Sequence, residues 1–380
     1  MDPEKISPIA TVQGWRSHRK LYAWLCAGVV LAGGAAVARA ATDRSAAAPA
    51  CAMQDLPTLG GLFGSATAAN GVGDIVGTAE DAGGRTRPVA WRGSAVRRLE
   101  VAVDFATPVA VNGSGAVIGF GRSGDDPVGW VWSRGSTVLL RGLGDGVADP
   151  VAINDSGVIV GALTENQNEE EEHGGQKPDS DGQEAFEQGE DERAAVWSSS
   201  DGLPRLLPAL TGDSGSRALT VDASGRVGGV SEGAQFTAVV WDPTGAVRAL
   251  PSLGGGYAVV RGFGRDGVIV GDAVDARGVQ HAVWWTPDGR IARLPMPPGG
   301  RSAQVSRILP DDSVIGIVQV RDNGVTVAQA MRWPPRREAQ RLGEAGGAAA
   351  AVAWVGNGVI AGHRLDADGG RHPVQWHCEG

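Results

Sequence analysis

A motif of about 42 residues recurs seven times between positions 54 and 376. Each copy has a strand of small residues, a polar turn, a second strand ending in Gly, a variable loop, a third strand ending in Trp and a short strand ending in Leu. The Gly-to-Gly spacings are 42, 42, 68, 42, 45 and 46 residues. Repeats of about this length with four short strands are typical of β-propeller blades. The sequence therefore predicts an all-β fold, a seven-bladed β-propeller of four-stranded blades that spans residues 51–380. The recurring glycines are Gly77, Gly119, Gly161, Gly229, Gly271, Gly316 and Gly362.

Tryptophan is the commonest aromatic residue, with 12 Trp against two Tyr and six Phe. One Trp closes the third strand of every copy, whereas the first strands, such as 66–69 and 108–111, contain small residues that suit a crowded propeller axis. We predict that these indoles fill the wider gaps between blades, where burying each is worth ~2–3 kcal/mol. The alternative is a set of sugar-stacking platforms, but placement in every copy favours packing. The residues are Trp91, Trp132, Trp197, Trp241, Trp285, Trp333 and Trp376.

Short motifs inside the copies resemble a known family. They are Leu59-Gly60-Gly61, Ile153-Asn154 followed by Val160-Gly161, and His281-Ala282-Val283-Trp284. These phrases are similar to the bacterial HAF-repeat family, named for a His-Ala-Phe triplet, and the likeness covers nearly all of residues 54–376. Only the fifth copy keeps His-Ala. The resemblance implies export and a propeller-like β fold, and it implies no activity.

The seventh copy lacks its fourth strand, because only four residues follow Trp376. The missing strand lies at the other end, where residues 51–56 precede the first copy. If Leu56 takes the vacant Leu position, this N-terminal strand completes the last blade and closes the ring, which removes exposed strand edges. Cys51 and Cys378 then flank the place of a hairpin turn. An exported chain with two mature cysteines favours a disulfide, so we predict a Cys51–Cys378 bond, with free or intermolecular thiols as the alternative.

The first 40 residues have the pattern of an export signal. A basic cluster ends at Lys20, an uncharged apolar run follows from residue 21 to 37, and Ala38-Arg39-Ala40 is a small-residue cleavage motif before Ala41. We predict a signal peptide at 1–40 cleaved between Ala40 and Ala41, a flexible linker at 41–50, and a protein that is secreted or attached to the cell surface. The alternative is an uncleaved anchor, the one route by which the chain would contact a membrane.

The third copy carries an acidic insertion at residues 164–193, with twelve Asp and Glu against one Lys and one Arg. Like charges and little apolar surface predict a disordered loop. A calcium loop is the alternative, with Asp179, Asp181 and Glu190 at ligand positions, but Glu184 stands where the sharp turn needs Gly. We therefore predict no metal site.

No catalytic motif is present. Scattered carboxylates could meet at the axial mouth as a glycosidase pair, and His363, in a predicted loop beside Arg364 and Asp366, is the remaining candidate. The carboxylates are Asp149, Asp213, Asp272 and Asp366. The balance of features favours no enzyme and no cofactor.

Two functions are consistent with the sequence. The first is a non-enzymatic extracellular binding or scaffold module, a monomer whose partner is an extracellular protein or glycan. Its binding face would carry residues 59–63, residues 254–257 and the acidic insertion. The second is a cell-surface hydrolase acting on glycan or peptidoglycan at the axial funnel. The body outside the insertion is nearly neutral, which excludes a basic nucleic-acid surface.

Overall fold

The computed structural model describes residues 51–164, 192–322, 324–335, 337–342 and 348–378. The predicted signal peptide, the Ala40–Ala41 cleavage site, the linker and nearly all of the acidic insertion, including Asp179, Asp181 and Glu190, lie outside the described residues. Within the described ranges the single helical segment is a 3₁₀ turn at Arg265–Gly267. These residues therefore contain no helix that is long and apolar enough to cross a membrane.

Almost all of the regular secondary structure in the described chain is β-strand. The first three repeats form β2 (Gly60–Ala69), β3 (Asp74–Asp81), β4 (Thr86–Arg92), β5 (Ala95–Arg98), β6 (Asp104–Val111), β7 (Val117–Ser123), β8 (Asp126–Ser133), β9 (Ser136–Leu139), β10 (Val147–Ile153), β11 (Ile159–Thr164), β12 (Arg193–Trp197) and β13 (Arg205–Leu206). The next two form β14 (Gly215–Val221), β15 (Val227–Glu232), β16 (Phe236–Trp241), β17 (Val247–Ala249), β18 (Gly254–Phe263), β19 (Ile269–Asp275), β20 (Gln280–Trp285) and β21 (Ile291–Arg293). The remainder are β1 (Cys51–Asp55), β22 (Gly300–Ile308), β23 (Val314–Asp322), β24 (Val325–Trp333), β25 (Gln340–Arg341), β26 (Ala349–Gly356), β27 (Val359–Leu365) and β28 (Arg371–Cys378).

These strands build a β-propeller, but not from seven separate sheets. Five sheets have four strands each: β2 to β5, β6 to β9, β10 to β13, β22 to β25, and β1 with β28, β27 and β26. The sixth has eight strands, because β16 and β18 pair in parallel at Phe236 and Tyr257 and so join the fourth and fifth repeats. The predicted count of seven separate four-stranded blades is therefore wrong. The outer strand β17 pairs with residues 239–241 of β16, so Phe236 lies beyond the part of β16 that β17 covers.

The last four-stranded sheet contains both ends of the described chain. β1 pairs antiparallel with β28, with Cys51 opposite Cys378, and the Leu56 amide donates to the Pro373 carbonyl at 2.8 Å. A disulfide joins the two cysteines across 327 residues, so the predicted bond is confirmed. Arg364 adds an ion pair to Asp55 of β1 at 2.9 Å. The N-terminal strand thus supplies the outer edge that the seventh repeat lacks.

The recurring Gly is required by a β-bulge in the strand nearest the axis. In every repeat this innermost strand has one unpaired residue directly after the residue opposite the Gly. The bulge pushes a carbonyl towards the Gly, so that a Cβ on Gly161 would lie 1.9 Å from the Asp149 oxygen. Across the seven glycines this distance is 1.9–2.2 Å, which no side chain can occupy. The recurring Gly is therefore needed because the backbone of the innermost strand approaches the second strand closely at this point.

The recurring Trp side chains are buried, with at most 8% of each exposed. Six of the indoles donate a hydrogen bond to the carbonyl directly after the Leu of the preceding repeat, as from Trp91 to Pro57 at 2.7 Å and from Trp197 to Arg141 at 2.8 Å. For Trp376 the corresponding acceptor position, residue 343, lies outside the described residues. These six Trp side chains thus connect consecutive repeats, and none of the seven has an open face for a sugar.

A ladder of Asn side chains links the first four repeats at the opposite ends of the innermost strands. The Nδ2 of Asn70 donates to the Asn112 carbonyl, that of Asn112 to the Asn154 carbonyl, and that of Asn154 to the Asp222 carbonyl, at 2.9, 3.1 and 2.9 Å. Each Oδ1 accepts the amide four residues ahead and closes its own hairpin turn. One residue therefore fixes both the turn and the spacing to the next repeat.

Candidate functional site

The innermost strands surround an axial cavity of about 440 Å³. The unpaired residue of every bulge contributes to its wall, because the bulge turns that side chain towards the axis. These residues are Thr67, Val109, Val151, Leu219, Arg261, Ser306 and Val352. The β-bulge that requires Gly in the second strand thus also determines which side chains line the cavity.

One side of the cavity carries a buried ion cluster between the third and fourth repeats. Arg217 on β14 contacts Glu192 at 2.5 Å and forms a second ion pair with Asp149 on β10, and all three side chains are buried. Burial raises the pKa of Asp149 to about 6, opposed by the positive charge of Arg217 and reinforced by the negative charge of Glu192. One guanidinium thus serves two carboxylates, which holds the start of β12 against the inner strands.

A second buried pair lies at the bulge of the fifth repeat. The Arg261 guanidinium contacts Asp272 on β19 at 3.0 Å, and Asp272 also accepts the Val305 amide at 2.7 Å. The pKa of Asp272 is raised by burial, against the opposing charge of Arg261. Burial also raises the pKa of the neighbouring Tyr257 to about 12. Asp272 therefore joins β19 to β22, with one carboxylate oxygen on Arg261 and the other on the Val305 amide.

Arg307 is the third arginine of the cavity wall, and it differs from the other two. In the described part of the chain it forms no ion pair or side-chain hydrogen bond, whereas Arg217 and Arg261 each meet buried acids. Arg307 is also an exposed residue, whereas Arg217 is buried. The surrounding protein nevertheless displaces enough water to lower the pKa of Arg307, and no carboxylate opposes this shift. Its positive charge is left uncompensated at the axis.

His363 also lines the cavity, and it lies within β27 rather than in the predicted loop. It is buried, and its Nδ1 is 3.3 Å from the Ser65 hydroxyl. Burial and, to a smaller extent, the positive charge of Arg371 lower the pKa of His363 to about 4. The ring is therefore neutral at physiological pH and acts as a hydrogen-bonding group of the wall.

The four carboxylates proposed for hydrolysis do not form one site. Asp149 and Asp272 belong to separate buried pairs, Asp213 accepts a hydrogen bond from Ser231 at 2.7 Å, and Asp366 contacts His372 at 2.9 Å. Within the described ranges no group of three His, Cys, Asp or Glu residues could hold a metal ion. The structure thus gives each carboxylate a local structural partner.

The face chosen from the sequence as a binding surface is only partly open. Leu62 and Phe63 are exposed, and the Glu80 carboxylate accepts both of their amides at 3.2 Å. Tyr257 instead packs against Phe236 and reaches towards Arg261, so residues 254–257 offer less surface than expected. The acidic insertion, the third part of this face, lies outside the described residues.

Sequence reasoning missed the three arginines of the axial cavity. A signal was available, because aligning the copies on their Gly places Arg307 where the other six have small residues. Those six are Ala68, Ala110, Ala152, Thr220, Gly262 and Ala353.

No protein-family model matches the chain, and no curated protein matches it in sequence. Solved structures do match. Streptogramin B lyase is 13% identical with a TM-score of 0.54, covering 87% of this chain and 98% of that one. The β-propeller domain of the trilobed protease from Pyrococcus furiosus is 10% identical with a TM-score of 0.54, covering 84% and 97%. YCF48 bound to D1 peptide is 12% identical with a TM-score of 0.52, covering 88% and 97%. At these identities the likeness shows the β-propeller fold.

Proposed function

We propose that this chain is an exported β-propeller of the HAF-repeat type that acts as an extracellular binding module, with the axial cavity as its ligand site. The observation that carries this proposal is the wall of the cavity, which combines an uncompensated Arg307 with apolar bulge residues. A cavity of about 440 Å³ with a few convergent polar groups has the size and chemistry of a small-molecule site.

Export is supported by the disulfide and by the N-terminal pattern. Disulfides form and persist outside the reducing cytosol, and this one joins the first and last described strands. Intact-mass measurement of protein recovered from the medium or the cell surface tests the point. We expect cleavage between Ala40 and Ala41 and a mass about 2 Da below that of the reduced protein, because the disulfide removes two hydrogens. Full-length protein with three alkylatable thiols would contradict export.

Binding is tested with the mature chain on an array of bacterial cell-surface glycans and peptides. The Val151→Trp variant narrows the cavity at a bulge that tolerates larger residues in other repeats, such as Leu219 and Arg261. Leu62→Ser changes the exposed outer face and serves as the matched control. We expect Val151→Trp to abolish the array signal while its melting temperature stays near that of wild type, and Leu62→Ser to keep the signal. The reverse pattern, or no signal with the wild type, would overturn the proposal.

A further inference from the structure

Arg307 is not required by the fold. The other six repeats place Ala, Thr or Gly at the same position after the bulge, and their strands pair in the same way. Arg307 is exposed and lines the cavity, and in the described part of the chain its guanidinium contacts no carboxylate. Arg217 and Arg261 each pair with carboxylates instead. Arg307 is therefore the arginine of the wall that remains open to an anion.

The strand that carries Arg307 presents further polar groups to the cavity. Ser302, Gln304 and Ser306 alternate along β22 and all line the wall, because alternate residues of a strand share a face. Gln319, which pairs with Ser302, and Gln280 from the preceding repeat extend this polar surface. Within the described part of the chain none of these five side chains has a protein hydrogen-bond partner. Their amides and hydroxyls remain available to a ligand rich in hydroxyl groups.

Other parts of the wall are apolar. The bulge residues with apolar side chains line the same cavity: Val109, Val151, Leu219 and Val352. A ligand in contact with both kinds of surface therefore carries one anionic group, several hydroxyls and patches of C–H surface. Guanidinium groups recognise carboxylates through paired N–H donors, which a point charge such as ammonium cannot reproduce.

We propose that the axial cavity binds an acidic saccharide, a sugar bearing one carboxylate, and that Arg307 holds the carboxylate while Ser302, Gln304 and Gln319 bind hydroxyls. This inference rests on the proposed binding role and deepens it by naming the ligand class. The volume of about 440 Å³ accommodates one or two sugar rings.

The test is isothermal titration calorimetry of the mature protein with glucuronate and a glucuronate-containing disaccharide. Glucose, acetate and inorganic phosphate are titrated separately. Arg307→Ala restores the residue that most other repeats carry and should fold normally, and Arg307→Lys keeps the charge without the paired donors. Arg98→Ala, on the exposed outer strand β5, is the control arginine variant. We expect both acidic sugars to bind, Arg307→Ala to weaken binding at least about 10-fold, Arg307→Lys to give an intermediate loss and Arg98→Ala to change nothing.

The possible outcomes separate this inference from the proposed function. Equal binding of glucose and glucuronate, unaffected by Arg307→Ala, would overturn the acidic-sugar assignment and leave the cavity as a binding site. Binding of phosphate but of neither acidic sugar would show an inorganic-anion site and also overturn it. Failure of every probe, together with an array signal that Val151→Trp abolishes, would reject the acidic saccharide and retain the binding module. Failure of every probe and a blank array would reject both.

Discussion

Cys51 and Cys378 lie opposite each other in the antiparallel pair of β1 and β28, and a disulfide joins them although 327 residues separate them in the sequence. Cys51 is buried in the cluster that also contains Trp376 and Leu342, so the bond lies beside the core of the last sheet. The contacts between the two ends of the described chain are therefore covalent, hydrogen-bonded and hydrophobic at once.

Removing the disulfide should destabilise the propeller. Cys51→Ser is expected to lower the free energy of unfolding by about 2–5 kcal/mol, because a cross-link over so long a loop restricts the unfolded chain most. Urea unfolding followed by Trp fluorescence measures the loss. The double variant Cys51→Ser/Cys378→Ser and the wild type in reductant should match the single variant. Equal stability of oxidised and reduced wild type would show that strand pairing alone holds β1.

The Gly at each bulge should tolerate no side chain. Gly161→Ala is expected to cost about 2–4 kcal/mol of unfolding free energy, because its Cβ would meet the Asp149 carbonyl at 1.9 Å and the inner strand would have to move. Gly83→Ala, in an exposed turn, is the matched control and should change stability by less than about 0.5 kcal/mol. Thermal and urea unfolding of both variants give the comparison. Similar small effects at both positions would show that the bulge adjusts freely.

The Asn ladder should stabilise the propeller through the hydrogen bonds that each Nδ2 donates to the next repeat. Asn112→Asp keeps the oxygen that accepts the Ala116 amide but removes the hydrogen bond from Nδ2 to the Asn154 carbonyl. We expect a loss of about 1–3 kcal/mol, since a buried carbonyl loses its partner and faces a carboxylate. The fourth repeat already has Asp222 at this position, where no such donor exists and Arg226 pairs with the acid at 2.7 Å. Asn357→Asp, in an exposed turn, should have no measurable effect, and equal losses in the two variants would contradict the ladder.

His363 should make the propeller less stable in acid. Its pKa is about 4 in the folded protein and 6.5 for the ordinary side chain, so the unfolded state binds more protons between these values. Stability therefore rises with pH across this window and is lost as pH falls from 6.5 to 4, by on the order of 3 kcal/mol. In His363→Asn this pH dependence is absent. The difference in unfolding free energy between wild type and variant should therefore become smaller as the pH is lowered from 7 to 4. A difference that stays constant across this window would show that the histidine does not titrate in this way.

The all-β propeller fold was predictable from the sequence because its periodic residues encode contacts between repeats, whereas the number of separate blades was not. Each Gly marks a bulge, and most of the Trp side chains show a hydrogen bond to the preceding repeat, so their spacing reports the construction of the ring. The absence of a Leu-ending strand after Trp376 likewise indicated that the N-terminal strand β1 pairs with β28. The division into sheets was not predictable, because the eight-stranded sheet depends on one bridge between Phe236 and Tyr257 that no repeat spacing records.

The candidate site was harder to predict because its chemistry depends on which side chains form ion pairs, and residue types alone do not show this. Asp149 and Asp272 were predicted among the carboxylates that could meet at the axial mouth, but each pairs with an arginine of another strand, 68 and 11 residues away. Only the three-dimensional structure shows that these acids are occupied while Arg307 is not. Comparison of the copies position by position would have drawn attention to Arg307, since it interrupts a series of small residues.

The most direct test of the binding account is a crystal structure of residues 41–380 grown with glucuronate. We expect electron density for one sugar in the axial cavity, with both carboxylate oxygens within hydrogen-bond distance of the Arg307 guanidinium. A sugar bound on the outer face near Leu62 and Phe63, or an axial cavity that contains only water at saturating glucuronate, would contradict it.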